Sequence, residues 1–140
     1  MPHAATVPSQ SSSPTRGLQI ALWVAQALLA AAFLMAGGMK LVVPYAELAK
    51  QGPGMSEGLI HFIGFAEVAG GLGIILPSLT RIQPKLTAWA GVGLLVIMVL
   101  ATGFHLVRGE ASHTPATLLL GALAAFVAWG RLVKAPVAPR

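Results

Sequence analysis

LIHFIGFAEVAGGLGIILP, residues 59–77, is an apolar run long enough to cross a bilayer, with one acid, Glu67, near its middle. An ionised carboxylate at the centre of a membrane helix costs about 2.5–3.5 kcal/mol on insertion scales. The rest of the chain decides whether this run is a span. Of the 140 residues, 56% are hydrophobic and only 9% charged, whereas a soluble domain carries about a quarter charged residues. Mean hydropathy is +0.78, and the apolar residues come in long blocks. The chain therefore falls in the membrane class, with a length that suits one domain.

Working outward, the apolar blocks predict four spans, at about 18–43, 59–76, 86–107 and 115–133. Each is near or above the roughly 17 residues needed to cross the hydrocarbon core. Pro44 ends the first and Pro77 is expected to stop the second. Thr114 is expected to cap the fourth, with Pro115 at its first helical position. Residues 1–17, rich in Pro, Ser and Thr, read as a disordered tail that includes His3, and 134–140 as a second tail. Arg16 before an apolar stretch is also a signal-peptide feature. That block, however, exceeds an h-region of about 7–15 residues, and no clean cleavage site follows. Gly52-Pro53-Gly54 marks a turn in the first loop, where residues 45–50 could form a short interfacial helix.

Short loops join antiparallel neighbours, so the expected fold is all-α: an integral membrane, four-helix up-down transmembrane bundle. Small residues four apart would let the helices pack closely: Ala66 with Gly70, Ala69 with Gly73, and Thr117, Gly121 and Ala125. Net charge is +5, but the basic residues sit at the ends of apolar blocks. They read as topology signals facing anionic lipid, not as a nucleic-acid surface. Arg16, Arg81, Lys85, Arg131, Lys134 and Arg140 fall on the side of the termini, against Lys40, Lys50 and Arg108 on the other. The positive-inside rule then places both termini in the cytoplasm, with the plasma (inner) membrane as the expected location. There is no cysteine, which excludes disulfides, thiolate metal sites and dithiol redox chemistry.

Counted along the helices, Lys40 lies about 5 Å, His61 and His105 about 3 Å, and Glu67 about 12 Å below the outer edge of the core. The faces are readable as well. Gln26, Ala30, Phe33, Gly37 and Lys40 form one stripe, as do Gly91, Leu95, Met98, Thr102 and His105. Gly64, Glu67 and Gly71 share a face, and His61 lies about 120° around from Glu67. An acid at this depth needs protonation, hydration or a cationic partner, and Lys40 is the one basic residue in an adjacent span. The expected polar cluster is Lys40, Glu67, His105 and His61, holding either a ligand or only the helix register. His61 and His105 at one depth could ligate haem b, but two histidines at one depth are weak evidence for it; a functional site here would serve protons, a quinone or another polar ligand. No metal is expected, because His105, His113 and Glu110 lack compact ligand spacing. No phosphate loop or Ser-His-Asp order is present.

Three stretches taken together, FLMAGGMKL at 33–41, GFAEVAGGLGIILP at 64–77, and MVLATGFHLVRGE at 98–110 followed by PATLLLGALAAFVAWGR, resemble the DoxX-like family of small four-helix membrane proteins. The resemblance covers about 18–133. It rests on Gly-x-x-Lys closing span one, an acid followed by glycines in span two, and a His closing span three before Gly-Glu. The family takes its name from a small subunit associated with thiosulfate:quinone oxidoreductase. Similar proteins occur in membrane redox assemblies, and distantly similar ones act in receptor assembly. The resemblance implies an accessory subunit of a quinone-linked redox system, with Lys40, Glu67 and His105 as its polar residues. Its partners would be the lipid bilayer, redox subunits and further copies of the chain. The alternative is a non-catalytic assembly factor or scaffold whose cluster only orders the bundle. A transporter would need an oligomer.

Overall fold

The computed structural model describes residues 13–52 and 54–140. Residues 1–12 of the expected tail, His3 among them, and Pro53 of the expected turn lie outside the described residues. The described chain is all-α, in the order α1 (Arg16–Val42), α2 (Tyr45–Gln51), α3 (Glu57–Thr80), α4 (Lys85–Val107) and α5 (Thr114–Trp129). A 3₁₀ turn, Ala111–His113, leads into α5, and a π-turn, Gly130–Lys134, continues it. Four of these segments, of 27, 24, 23 and 24 residues, are long and apolar enough to cross a membrane. At 1.5 Å per residue each reaches roughly 34–40 Å, more than the hydrocarbon core of about 30 Å.

Sequence chemistry sets the ends. Thr15 Oγ1 accepts from the Leu18 N–H at 3.3 Å and Ser56 Oγ from the Leu59 N–H at 3.3 Å, so α1 and α3 start on side-chain caps. The first helix begins at Arg16, inside the expected tail. Residues 45–51 form a short helix, tied to the start of α3 by Tyr45 Oη donating to the Met55 carbonyl at 2.9 Å.

Two expected boundaries are corrected. Pro77 does not stop α3, which continues to Thr80. A proline inside a helix removes one backbone bond and costs about 3 kcal/mol. Side-chain bonds brace the chain on either side of the proline, though none of them reaches the Gly73 carbonyl that its missing N–H leaves. Gln26 Nε2 donates to the Ile74 carbonyl at 2.8 Å, Ser78 Oγ to Thr87 Oγ1 at 2.8 Å, and Thr80 Oγ1 to the Leu76 carbonyl at 2.8 Å. Nor is Thr114 a cap. The 3₁₀ turn delivers the chain already helical at Thr114, with φ −60° and ψ −42°, so it is the first residue of α5 and its hydroxyl caps nothing.

The helices pack in a ring. Helix α1 lies on α3, α3 on α4, α4 on α5, and α5 returns to α1 with the lightest contact. Between them sits a core of Ala25, Leu29, Phe33, Ile74, Leu94, Met98, Ala124 and Val127. Large apolar residues also cover the outside: Met35, Phe62, Phe65, Val99, Leu100 and Leu119 are more than half exposed. Such a belt would not persist in water but suits lipid. The molecule is a four-helix membrane bundle.

Candidate functional site

The site begins with two glycines. A β-carbon on Gly37 would lie 2.6 Å from the Gly64 carbonyl oxygen and 2.9 Å from Glu67 Cβ; one on Gly64 would lie 2.8 Å from Lys40 Cβ. Only residues without side chains permit this approach of α1 to α3. In this antiparallel pair Lys40 lies level with Gly64 and Glu67 level with Gly37, so the long lysine side chain reaches along α3 by about one turn to meet the acid.

Lys40 Nζ donates to Glu67 Oε2 at 2.8 Å, a charge-assisted bond of ordinary length. The Glu67 side chain is 6% exposed and that of Lys40 29%, so the amine reaches out of the bundle while the carboxylate sits within it. Lys40 also occupies the last turn of α1, where the negative end of the helix dipole favours a cation. The bond uses one of the three N–H donors of the ammonium. Glu67 Oε1 has no hydrogen-bond partner among the described residues.

The other two candidates lie apart from this pair. His61 is half-buried, with no hydrogen-bond or ion-pair partner among the described residues. His105 is bonded elsewhere. Its Nδ1 lies 2.9 Å from Glu110 Oε2; an ionised carboxylate can only accept, so this nitrogen carries the hydrogen. Arg108 Nε donates to the other oxygen of Glu110 at 2.8 Å, and the His113 ring stacks on His105 at 4.8 Å. Gly109, at φ 72°, turns the chain so that Glu110 comes back over the end of α4, and the Glu110 N–H donates to the His105 carbonyl at 2.8 Å. Both partners hold the Glu110 carboxyl below its ordinary value of 4.5, the bond from His105 first and that from Arg108 second.

The single cluster expected from the sequence is thus two contact sets, and the cause lies in which neighbour each stripe faces. The stripe of α4 ending in His105 packs on α5: a β-carbon on Gly91 would meet the Ala124 carbonyl at 3.0 Å, and Thr102 Oγ1 donates to Thr117 Oγ1 at 2.8 Å. Helix α4 meets α3 instead through Leu94, packed against Gly70. Among the described residues, no three His, Asp or Glu side chains are grouped to hold a metal ion.

A further polar group at the opposite end escapes a reading of the sequence alone. Arg131 is only 4% exposed. Its Nε donates to Gln26 Oε1 at 2.8 Å, its Nη1 to Gln19 Oε1 at 2.9 Å and to the Ala135 carbonyl at 3.1 Å, and the guanidinium lies 5.1 Å from the Trp23 ring centre. Gln19 and Gln26, seven apart on one face of an apolar helix, were the available signal.

Fold and site together define a small multi-pass membrane protein whose first and second spans are joined by a part-buried ion pair. The chain belongs to the DoxX-like family, which it matches over residues 24–127. Lys40, His61, Glu67 and His105 lie inside the matched segment and Arg131 beyond it. Comparison with curated proteins and with solved structures found no match.

Proposed function

We propose that this chain is an accessory subunit of a quinone-linked membrane redox system, with the Lys40–Glu67 pair as its polar binding site. The observation that carries the reading is the unused capacity of the pair. Lys40 retains donors on a side chain that is 29% exposed, and Glu67 retains an acceptor oxygen. A quinone headgroup presents the complementary atoms, a carbonyl oxygen in the oxidised form and a hydroxyl hydrogen in the reduced form. Lys40 would hold the first and Glu67 would accept the second. The electron chemistry belongs to the quinone when bound; the chain's residues orient it and hold its proton. Its seat is the plasma (inner) membrane, with both termini cytoplasmic, alongside redox partner subunits or further copies of the chain.

The test is photolabelling of the protein in mild detergent with an azido-quinone, followed by peptide mapping. Labelling should centre on 37–45 and 61–68 and fall about tenfold in Glu67→Gln, with the melting temperature kept within a few degrees. Labelling unaffected by Glu67→Gln and Lys40→Met would reject the reading.

The second reading, an assembly factor or scaffold, is favoured by the position of the pair at the tight Gly37–Gly64 approach. There it would serve as a register peg. In that case Glu67→Gln costs stability instead, about 2 kcal/mol. That is less than the roughly 3–5 kcal/mol of a fully buried pair, because Lys40 is partly exposed.

A further inference from the structure

The chain has four acidic residues, Glu47, Glu57, Glu67 and Glu110. Three of them are paired, with Lys50, Lys40 and Arg108. All four belong to one half of the bundle: α2, the first half of α3, and the turn after α4. The opposite end carries Arg16, Arg81, Lys85, Arg131, Lys134 and Arg140 with no acidic side chain. No carboxylate from the chain's own side chains can neutralise that end.

A groove of about 790 Å³ opens there, between the turn joining α3 to α4 and the segment that follows the π-turn. Arg81, Lys85 and Arg140 line it, with Ile82, Pro136 and Val137 as apolar wall. It is built by specific contacts. The Arg140 N–H donates to the Arg81 carbonyl at 3.0 Å and Arg81 Nε to the Ala138 carbonyl at 3.1 Å, so the two segments are laced together. Arg81 and Gln83 adopt left-handed backbone, with φ 61° and 49°, a conformation that non-glycine residues rarely take. Lys85 has no hydrogen-bond or ion-pair partner among the described residues. The depth is also defined: α3 ends at Thr80 and α4 starts at Lys85, so the groove lies where the spans leave the bilayer. Ile82, 63% exposed, stands beside it to meet an acyl chain.

We infer that this groove holds the phosphate of an anionic lipid headgroup. Three cationic side chains with no acidic side chain among them supply the charge, the interfacial depth supplies the lipid, and the apolar wall supplies the seat for its glycerol end. A zwitterionic headgroup brings its own cation into the same positive field and is disfavoured.

The experiment titrates the full chain in mild detergent with short-chain phosphatidylglycerol, phosphatidylcholine of the same chain length, and inorganic phosphate, following tryptophan fluorescence. Phosphatidylglycerol should bind about tenfold more tightly than phosphatidylcholine. Each basic side chain removed should weaken it about fivefold, so Lys85→Gln loses about fivefold and Arg81→Gln/Lys85→Gln about 25-fold. Lys85→Gln breaks no contact of the fold and should melt like the parent, which separates binding from folding. Raising salt to about 1 M, where the Debye length falls to roughly 3 Å, should erase the preference. Equal binding of the two lipids, or no effect of Lys85→Gln, overturns the inference. So does inorganic phosphate binding as tightly as phosphatidylglycerol, which would assign the groove to a soluble phosphate.

Discussion

Glu110 is the residue whose environment most directly foretells a measurable behaviour. Bonds from His105 and Arg108 lower its carboxyl below the ordinary 4.5. A group whose folded value is depressed stabilises the fold above the unfolded value and loses that contribution as pH falls through the folded one. The turn over the end of α4 should therefore be tied down at neutral pH and loosen only in acid, below the ordinary carboxylate range. Hydrogen exchange at 109–113 between pH 7 and pH 3, with rates corrected for intrinsic chemistry, should show protection lost on the acid side. In Glu110→Gln the protection should already be weaker at pH 7 and flat across the range. Protection at pH 7 no greater in the parent than in Glu110→Gln would contradict the assignment.

Helix α1 and helix α3 are held at a distance that two glycines dictate. Gly64→Ala places a carbon 2.8 Å from Lys40 Cβ and 3.0 Å from the Gly37 carbonyl oxygen, neither of which a flexible chain end can relieve. The helices must separate, at a cost of about 1–3 kcal/mol. Thermal melting and a cross-link between α1 and α3 near this point would both report it, and an unchanged melting temperature would refute the close approach. Much at this scale was legible in the sequence. The 4-3-4-3 stripe Gln26-Ala30-Phe33-Gly37-Lys40 is buried apart from the amine end of Lys40 and faces the stripe Gly64-Glu67-Gly71, because periodicity encodes which residues share a face. It does not encode which neighbour that face meets, and so His105 could not be placed against Glu110 and His113, in the turn leading to α5, in advance. The continuation of α3 through Pro77 was hidden for a related reason: the side chains that brace the helix around it, Gln26 and Thr87, sit on other helices. Arg131 was concealed by position, since a basic residue at the end of an apolar block has the same pattern whether it faces solvent or turns inward.

The whole molecule is polarised along its axis. Acids lie toward one end, three of the four paired with a cation, while the other end carries cations with no acidic partner. With no native cysteine, a single cysteine introduced at Gln83 is the only thiol. In intact cells it should resist an impermeant maleimide until the membrane is opened, whereas one at Ser112 should react at once; the reverse pattern would invert the proposed orientation. The same polarity has an energetic consequence in an energised membrane. Carrying one elementary charge across about 100 mV involves roughly 2.3 kcal/mol. Inverting the bundle would carry Arg16, Arg81, Lys85, Arg131, Lys134 and Arg140 together, against roughly 14 kcal/mol per 100 mV when their side is the negative one. With the basic end on the cytoplasmic side, as proposed, the transmembrane voltage would act as a latch, keeping the inserted bundle from turning over for as long as the cell stays charged.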